Sequence, residues 1–122
     1  MEFSITAEVT FDAGHRLSIP ESCSRSHGHA YRVAATVAGP LDVKVGFPAG
    51  SSGLATALRD IRNELHGRDF ADMIPGLVAT PTNLAAWIME RLLLGYPRLV
   101  RVQVDQSDGA DRLIGVAERI LR

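Results

Sequence analysis

From Phe3 to Ala13 every odd position is apolar (Phe3, Ile5, Ala7, Val9, Phe11, Ala13) and every even one is polar (Ser4, Thr6, Glu8, Thr10, Asp12). Period-two alternation of this length predicts a long strand with one wet face. Gly14 then permits a bend. A second strand is predicted from about His27 to Ala38, and Tyr31, Val33, Ala35 and Val37 share a face with His27 and His29. Pro40 to Gly53 is rich in turn formers and reads as a loop.

The period then changes. Leu54, Leu58, Ile61 and Leu65 step by four, three and four, which is one face of a helix. A polar loop is expected over Gly67 to Asp72. Thr80-Pro81 supplies a helix N-cap followed by proline at the first helical position, and this second helix should run to about Leu94, ended by Gly95. Its broad apolar surface (Leu84, Trp87, Ile88, Leu92) suits packing on a sheet. Val100, Val102 and Val104 mark a third strand. Ile114 to Leu121 reads as a fourth, with a helix still open there. Two strands, two helices and two strands predict an α+β fold: an antiparallel four-stranded sheet with both helices on one face. Such a sheet has two open edges, which invite closure by subunit association.

Composition narrows the function. The 122 residues make one domain, spanning 1–122, and 46% hydrophobic with 22% charged content is ordinary for a globular protein. The net charge of −1 comes without a basic stripe, so no nucleic-acid partner is expected. No apolar run reaches membrane-spanning length and the first residues lack a signal-peptide pattern, so no membrane partner is expected either. One cysteine excludes an internal disulfide and suits a reducing cytoplasm.

The chemistry concentrates in one stretch. His15, Cys23, His27 and His29 hold three of the four histidines and the only cysteine of the chain. Neutral imidazoles are the commonest zinc ligands, and three of them leave a coordination position open for water or substrate. His27 and His29, two apart on a strand, point to the same side, and His15 ends the preceding strand. Cys23, in a loop beside Arg25 and a bound cation, is placed for a lowered thiol pKa. For an isolated histidine or free cysteine the alternative is an ordinary polar or small buried residue.

Phe11-x-Ala13-x-His15, then Cys23-x3-His27-Gly28-His29-x-Tyr31, then a two-helix insert resembles the 6-pyruvoyl-tetrahydropterin synthase and 6-carboxy-tetrahydropterin synthase family. Ile74-Pro75-Gly76-Leu77 and Asn83-Leu84-Ala85-Ala86-Trp87-Ile88 add to the resemblance. The likeness implies a tunnelling fold whose trimers close their sheets into a barrel and stack as a homo-hexamer, with active sites between subunits. It implies zinc on His15, His27 and His29, Cys23 as catalytic thiol, and a small pterin-like substrate.

Three positions depart from the family pattern. Where the family carries the Asp and His that complete a triad with the cysteine, this chain has Gly67 and Arg68, with His66 and Asp69 displaced beside them. His66 and Asp69 are the candidate catalytic partners of Cys23, against a bland reading as helix-end and loop residues. Arg68 is a candidate for a substrate carboxylate or phosphate, but a guanidinium cannot act as base at neutral pH. Where the family holds the pterin amino group with a glutamate, the valine alternation places Gln106, and a one-residue bulge would place Asp105. Gly50-Ser51 replaces an Asp-Phe pair.

Three functions remain in view. One is a zinc-dependent lyase acting on a reduced pterin. Another is a zinc-holding homologue with a different ligand or a scaffold role. The third is a metal-dependent hydrolase using Asp69, Asp105 or Glu21 as acid or base.

Overall fold

The computed structural model describes residues 1–15 and 27–120, without the side chains of His15 and His27. Segment 16–26, with Glu21 and Cys23, and residues 121–122 lie outside that description.

The alternating N-terminal segment forms β1 (Phe3–His15), and β2 (His27–Gly39) pairs with it antiparallel. The register is unbroken from Phe3↔Gly39 to His15↔His27. The strand does not end at Gly14: β1 continues through it to His15, and the Gly14 amide donates to Arg68 O at 2.9 Å. Odd positions of β1 and β2 point inward as the alternation requires, with Phe11, Ala13, Tyr31, Val33, Ala35 and Val37 buried.

The segment after β2 corrects the expectation of a plain loop. Residues Leu41–Asp42 (β3) and Phe47–Pro48 (β4) pair as a small antiparallel ribbon. Asp42 nucleates its turn: its side chain accepts from the Lys44 amide at 3.1 Å and its carbonyl from Gly46 at 2.8 Å.

Helix α1 (Leu54–Leu65) buries the four apolar residues that the spacing singled out, and it packs on β1. The expected polar loop over Gly67–Asp72 contains instead a single turn of helix, α2 (Phe70–Met73). Asp69 caps it by accepting from the Ala71 amide at 2.9 Å, and Phe70 drops into the core against Phe11 and Tyr31. Helix α3 (Pro81–Leu93) starts at the Thr80-Pro81 signal, with Thr80 Oγ1 accepting from the Asn83 amide at 3.2 Å. Leu84, Ile88 and Leu92 are buried as expected. Ala85 and Met89 widen that face, while Trp87 sits at its rim beneath Arg91.

The last two strands are β5 (Leu99–Asp108) and β6 (Asp111–Glu118). The latter is a strand, not a helix, and begins before Ile114. Asp108 pairs with Asp111 across a two-residue turn whose Gly109 takes φ 61. A glycine at the first central position suits the tight hairpin that joins two right-twisted strands. Sheet order is β1-β2-β5-β6, all antiparallel, with α1 packed on β1 and α3 on β5 and β6. The α+β architecture is therefore the one the patterning predicted.

At Gly115 a Cβ would run into the backbone of Pro81 and Thr82, so glycine lets the start of α3 lie directly on β6. Gly115→Ala should lower stability by about 1–3 kcal/mol through overpacking, read as a shift in the urea unfolding midpoint. An unchanged midpoint would show that the contact gives way without cost.

Candidate functional site

The β1–β2 register brings the histidine-bearing strand ends together. The backbones of His15 and His27 share a rung, and His29 stands opposite Ala13 one same-facing rung further in. The His29 side chain is 6% exposed and lies on the helix-side face, its ring edge-on to Tyr31 with centroids 6.2 Å apart. Tyr31 stacks on Phe11 at 5.4 Å and meets Phe70 edge-on at 5.4 Å, so the floor beneath His29 is a rigid aromatic cluster.

Tyr31 is the residue that sequence reasoning passed over. It stands opposite Gln106 in the β2–β5 register, and its hydroxyl donates to Gln106 Oε1 at 3.3 Å. Its place in the same period as His27 and His29 was the available signal. Gln106 is 7% exposed and lies on the face that carries His29.

Asp105 lies on the other face, since β5 pairs without a bulge from Arg101 to Ser107. It is 4% exposed and its carboxylate is held by Arg112 of β6, a residue the sequence reading did not single out. Arg112 stands opposite Ser107, two positions from the residue facing Asp105, so the pair reaches diagonally across the hairpin. The hydrogen bond from Arg112 lowers the Asp105 pKa below the usual carboxylate range, with burial opposing it and the charges of Arg112 and Arg32 assisting. Gln106 and Asp105 thus do not share one site.

The residues after α1 are also dispersed. His66 is exposed, closes α1, and accepts the Asp12 amide on Nδ1 at 3.2 Å. Gly67, with φ 74, donates its amide to Asp12 O at 2.7 Å. Arg68 is exposed, with Nη1 donating to Met73 Sδ at 3.0 Å. Asp69 uses Oδ1 as the α2 cap. Gly50 adopts φ 78, and buried Ser51 donates its hydroxyl to Pro48 O at 2.7 Å. Cys23 and Glu21 lie outside the described residues.

A recess of about 400 Å³, lined by Phe47, Pro48, Ser51, Leu54 and neighbours, shares no lining residue with the His29–Tyr31–Gln106 face. Among the described residues no cluster of three or more metal-ligating side chains occurs, and that description leaves out the side chains of His15 and His27. No described helix is long and apolar enough to cross a membrane.

The whole architecture has known counterparts. The structure of the 6-pyruvoyl tetrahydropterin synthase of Caenorhabditis elegans superposes with a TM-score of 0.81 at 19% identity, over 98% of this chain and 97% of that one. An uncharacterized protein from Wolinella succinogenes matches with a TM-score of 0.74 at 17% identity, over 98% and 99% of the two chains. The 6-pyruvoyl tetrahydropterin synthase of Plasmodium vivax gives 0.70 at 13%, over 98% and 99%. These likenesses establish the fold, the tunnelling fold of that family. Residues 4–111 match the family described as 6-pyruvoyl tetrahydropterin synthase, and the chain belongs to it.

The depressed pKa of Asp105 gives stability that is present above the unfolded-state value of about 3.9 and lost as pH falls through the lower folded value. Arg112→Met should therefore lower the urea midpoint at neutral pH by leaving a buried carboxylate unpaired. The gap from the wild type should close as the pH falls below about 4. A gap that does not change with pH would mean that Arg112 acts through packing alone.

Proposed function

We propose that the protein is a lyase of the 6-pyruvoyl/6-carboxy-tetrahydropterin synthase type, acting on the side chain of a reduced pterin or a related heterocycle. The observation that supports it most is the register, which places His15, His27 and His29 at one end of β1 and β2 and Gln106 beside them on the same face as His29. Histidine is a preferred zinc ligand and the backbones of these three lie on neighbouring rungs, so His15, His27 and His29 are the proposed holders of Zn2+. Bound there, zinc would supply Lewis-acid polarisation of a hydroxyl or carbonyl on the substrate side chain.

The chain's own residues supply the rest. Cys23 falls between the two strands in the sequence, four positions before His27, and its thiolate is the proposed base for the proton on the carbon next to the ring. His66 is the proposed proton partner. Its Nδ1 accepts from the Asp12 amide, which leaves the hydrogen on Nε2, so His66 takes up a proton at Nδ1 only by releasing Asp12. Asp69 serves by holding the loop: its carboxylate caps α2 and its backbone bridges to Gly14. Arg68 is the proposed partner for an anionic group on the substrate, reached by releasing its contact with the Met73 sulfur.

The subunit is proposed to work as a homo-hexamer made of two trimers, in the cytoplasm. Support for assembly comes from β6, an edge strand with Leu113, Ile114 and Val116 exposed. Sedimentation should report a hexamer, or at the least a trimer, and a clean monomer would remove the pocket that subunits are proposed to build between them.

A second reading has its own observation. His66, Arg68 and Asp69 are each engaged locally, by the Asp12 amide, the Met73 sulfur and the Ala71 amide. That pattern suits a zinc-holding relative that has lost or changed its pterin activity. Incubation with about 1 mM 7,8-dihydroneopterin triphosphate separates the two. The lyase reading expects triphosphate or acetaldehyde release that chelation abolishes, together with close to one zinc per chain in the purified protein. Cys23→Ser should reduce that turnover about 10²–10⁴-fold while leaving the zinc content unchanged. Absent turnover with zinc retained would favour the second reading.

A further inference from the structure

We infer that Gln106 and Tyr31 act together as a recognition pair that reads the lactam edge of a heterocycle, a ring carbonyl beside a ring N–H, and not an edge made of two N–H donors. This deepens the proposed function and rests on its placing of the ligand at the His29 face. A carboxylate in this position would accept two hydrogen bonds; a carboxamide has one oxygen to accept and one nitrogen to donate. In this chain the two ends of the amide are told apart. The Tyr31 hydroxyl donates to Oε1, which anchors the oxygen at the β2 side and assigns the nitrogen to the other. Tyr31 is itself held by Phe11 and Phe70, so the anchor is stiff.

The amide nitrogen bonds to none of the described residues, although Gln106 is among the few buried polar side chains. A donor in that position gains most from a ligand carbonyl, and Oε1 keeps a second lone pair for a ligand N–H. The pairing is a cyclic two-bond match to a lactam. An edge of two donors would set one N–H against the N–H of Gln106. Two neighbours complete the setting. Leu113 stands opposite Gln106 in the β5–β6 register and is 61% exposed, an apolar surface beside the amide for the flat ring. Asp105, which could have read two donors, is on the other face and committed to Arg112.

Binding of pterin and lumazine to the zinc-loaded oligomer tests the inference. These rings share the lactam edge and differ only in an amino or an oxo group on the carbon between the pyrimidine nitrogens. Fluorescence titration of the wild type should give affinities within about threefold of each other, because the amino group goes unread. Gln106→Glu should move the ratio about tenfold or more toward pterin by restoring the two-acceptor group. Tyr31→Phe, which keeps the aromatic packing, should weaken both rings without restoring a preference for the amino form. A wild type that prefers pterin tenfold, or a Gln106→Glu ratio equal to that of the wild type, would overturn the pair's role while leaving the site where it is proposed. Failure of both rings to bind any of the three proteins would overturn the placing of the ligand at this face, and the pair with it.

Discussion

The unbroken pairing of β1 with β2 is the constraint on which everything else in this molecule depends. Thirteen residues of each strand run in register from Phe3↔Gly39 to His15↔His27. Side chains alternate strictly along a strand, so a slip of one residue would carry Phe11, Tyr31 and Val33 to the uncovered face and His29 with them. The apolar set thus locks the polar set. Burial of the Phe11–Tyr31–Phe70 cluster fixes the strand ends where the histidines sit, and the same face of β2 sets the register of β5 and the place of Gln106.

The free edge of β1 shows how local hydrogen bonding can absorb residues with chemical potential. Thr10 O accepts from Arg62 Nε, the Asp12 amide donates to His66, Asp12 O accepts from Gly67, and the Gly14 amide donates to Arg68 O. The end of α1 and the residues after it therefore run along this half of the edge like a partial strand, satisfying groups that would otherwise be open to pairing with another chain. The glycine at 67 makes this possible, since its positive φ turns the chain out of the helix and back along β1. His66 and Asp69 acquire structural duties at the same time. For His66 the two roles compete, since a ring that accepts on Nδ1 carries its hydrogen on Nε2 and must release Asp12 to take up a proton.

Among the described residues the opposite face of the sheet carries no helix, yet it holds a buried carboxylate paired with an exposed arginine. Asp105 is enclosed by the sheet and Arg112, while Arg112 itself is 58% exposed in its side chain. Its position across the β5–β6 hairpin ties the edge strand to the centre of the sheet next to Gln106. A charge-assisted bond there orients a strand whose apolar residues on β6 are largely uncovered.

Much of this architecture is legible in the order of the residues. The strict alternation of β1, the four-three-four spacing of α1 and the Thr80-Pro81 start of α3 each follow from periodicity and capping, because these are local properties of consecutive residues. The face shared by His29 and Tyr31 was legible for the same reason. The β3–β4 ribbon, the α2 turn and the early start of β6 were not read, although Asp42, Asp69 and Asp108-Gly109 carried short-range signals of turn and cap. What periodicity could not decide was the pairing between segments far apart in the chain. Whether Gln106 or Asp105 joins His29 depends on how β5 docks on β2, and the Tyr31–Gln106 bond spans 75 positions. Alternation alone says that neighbours point to opposite sides. Only the packed sheet, with its covered and uncovered faces, says which side is which.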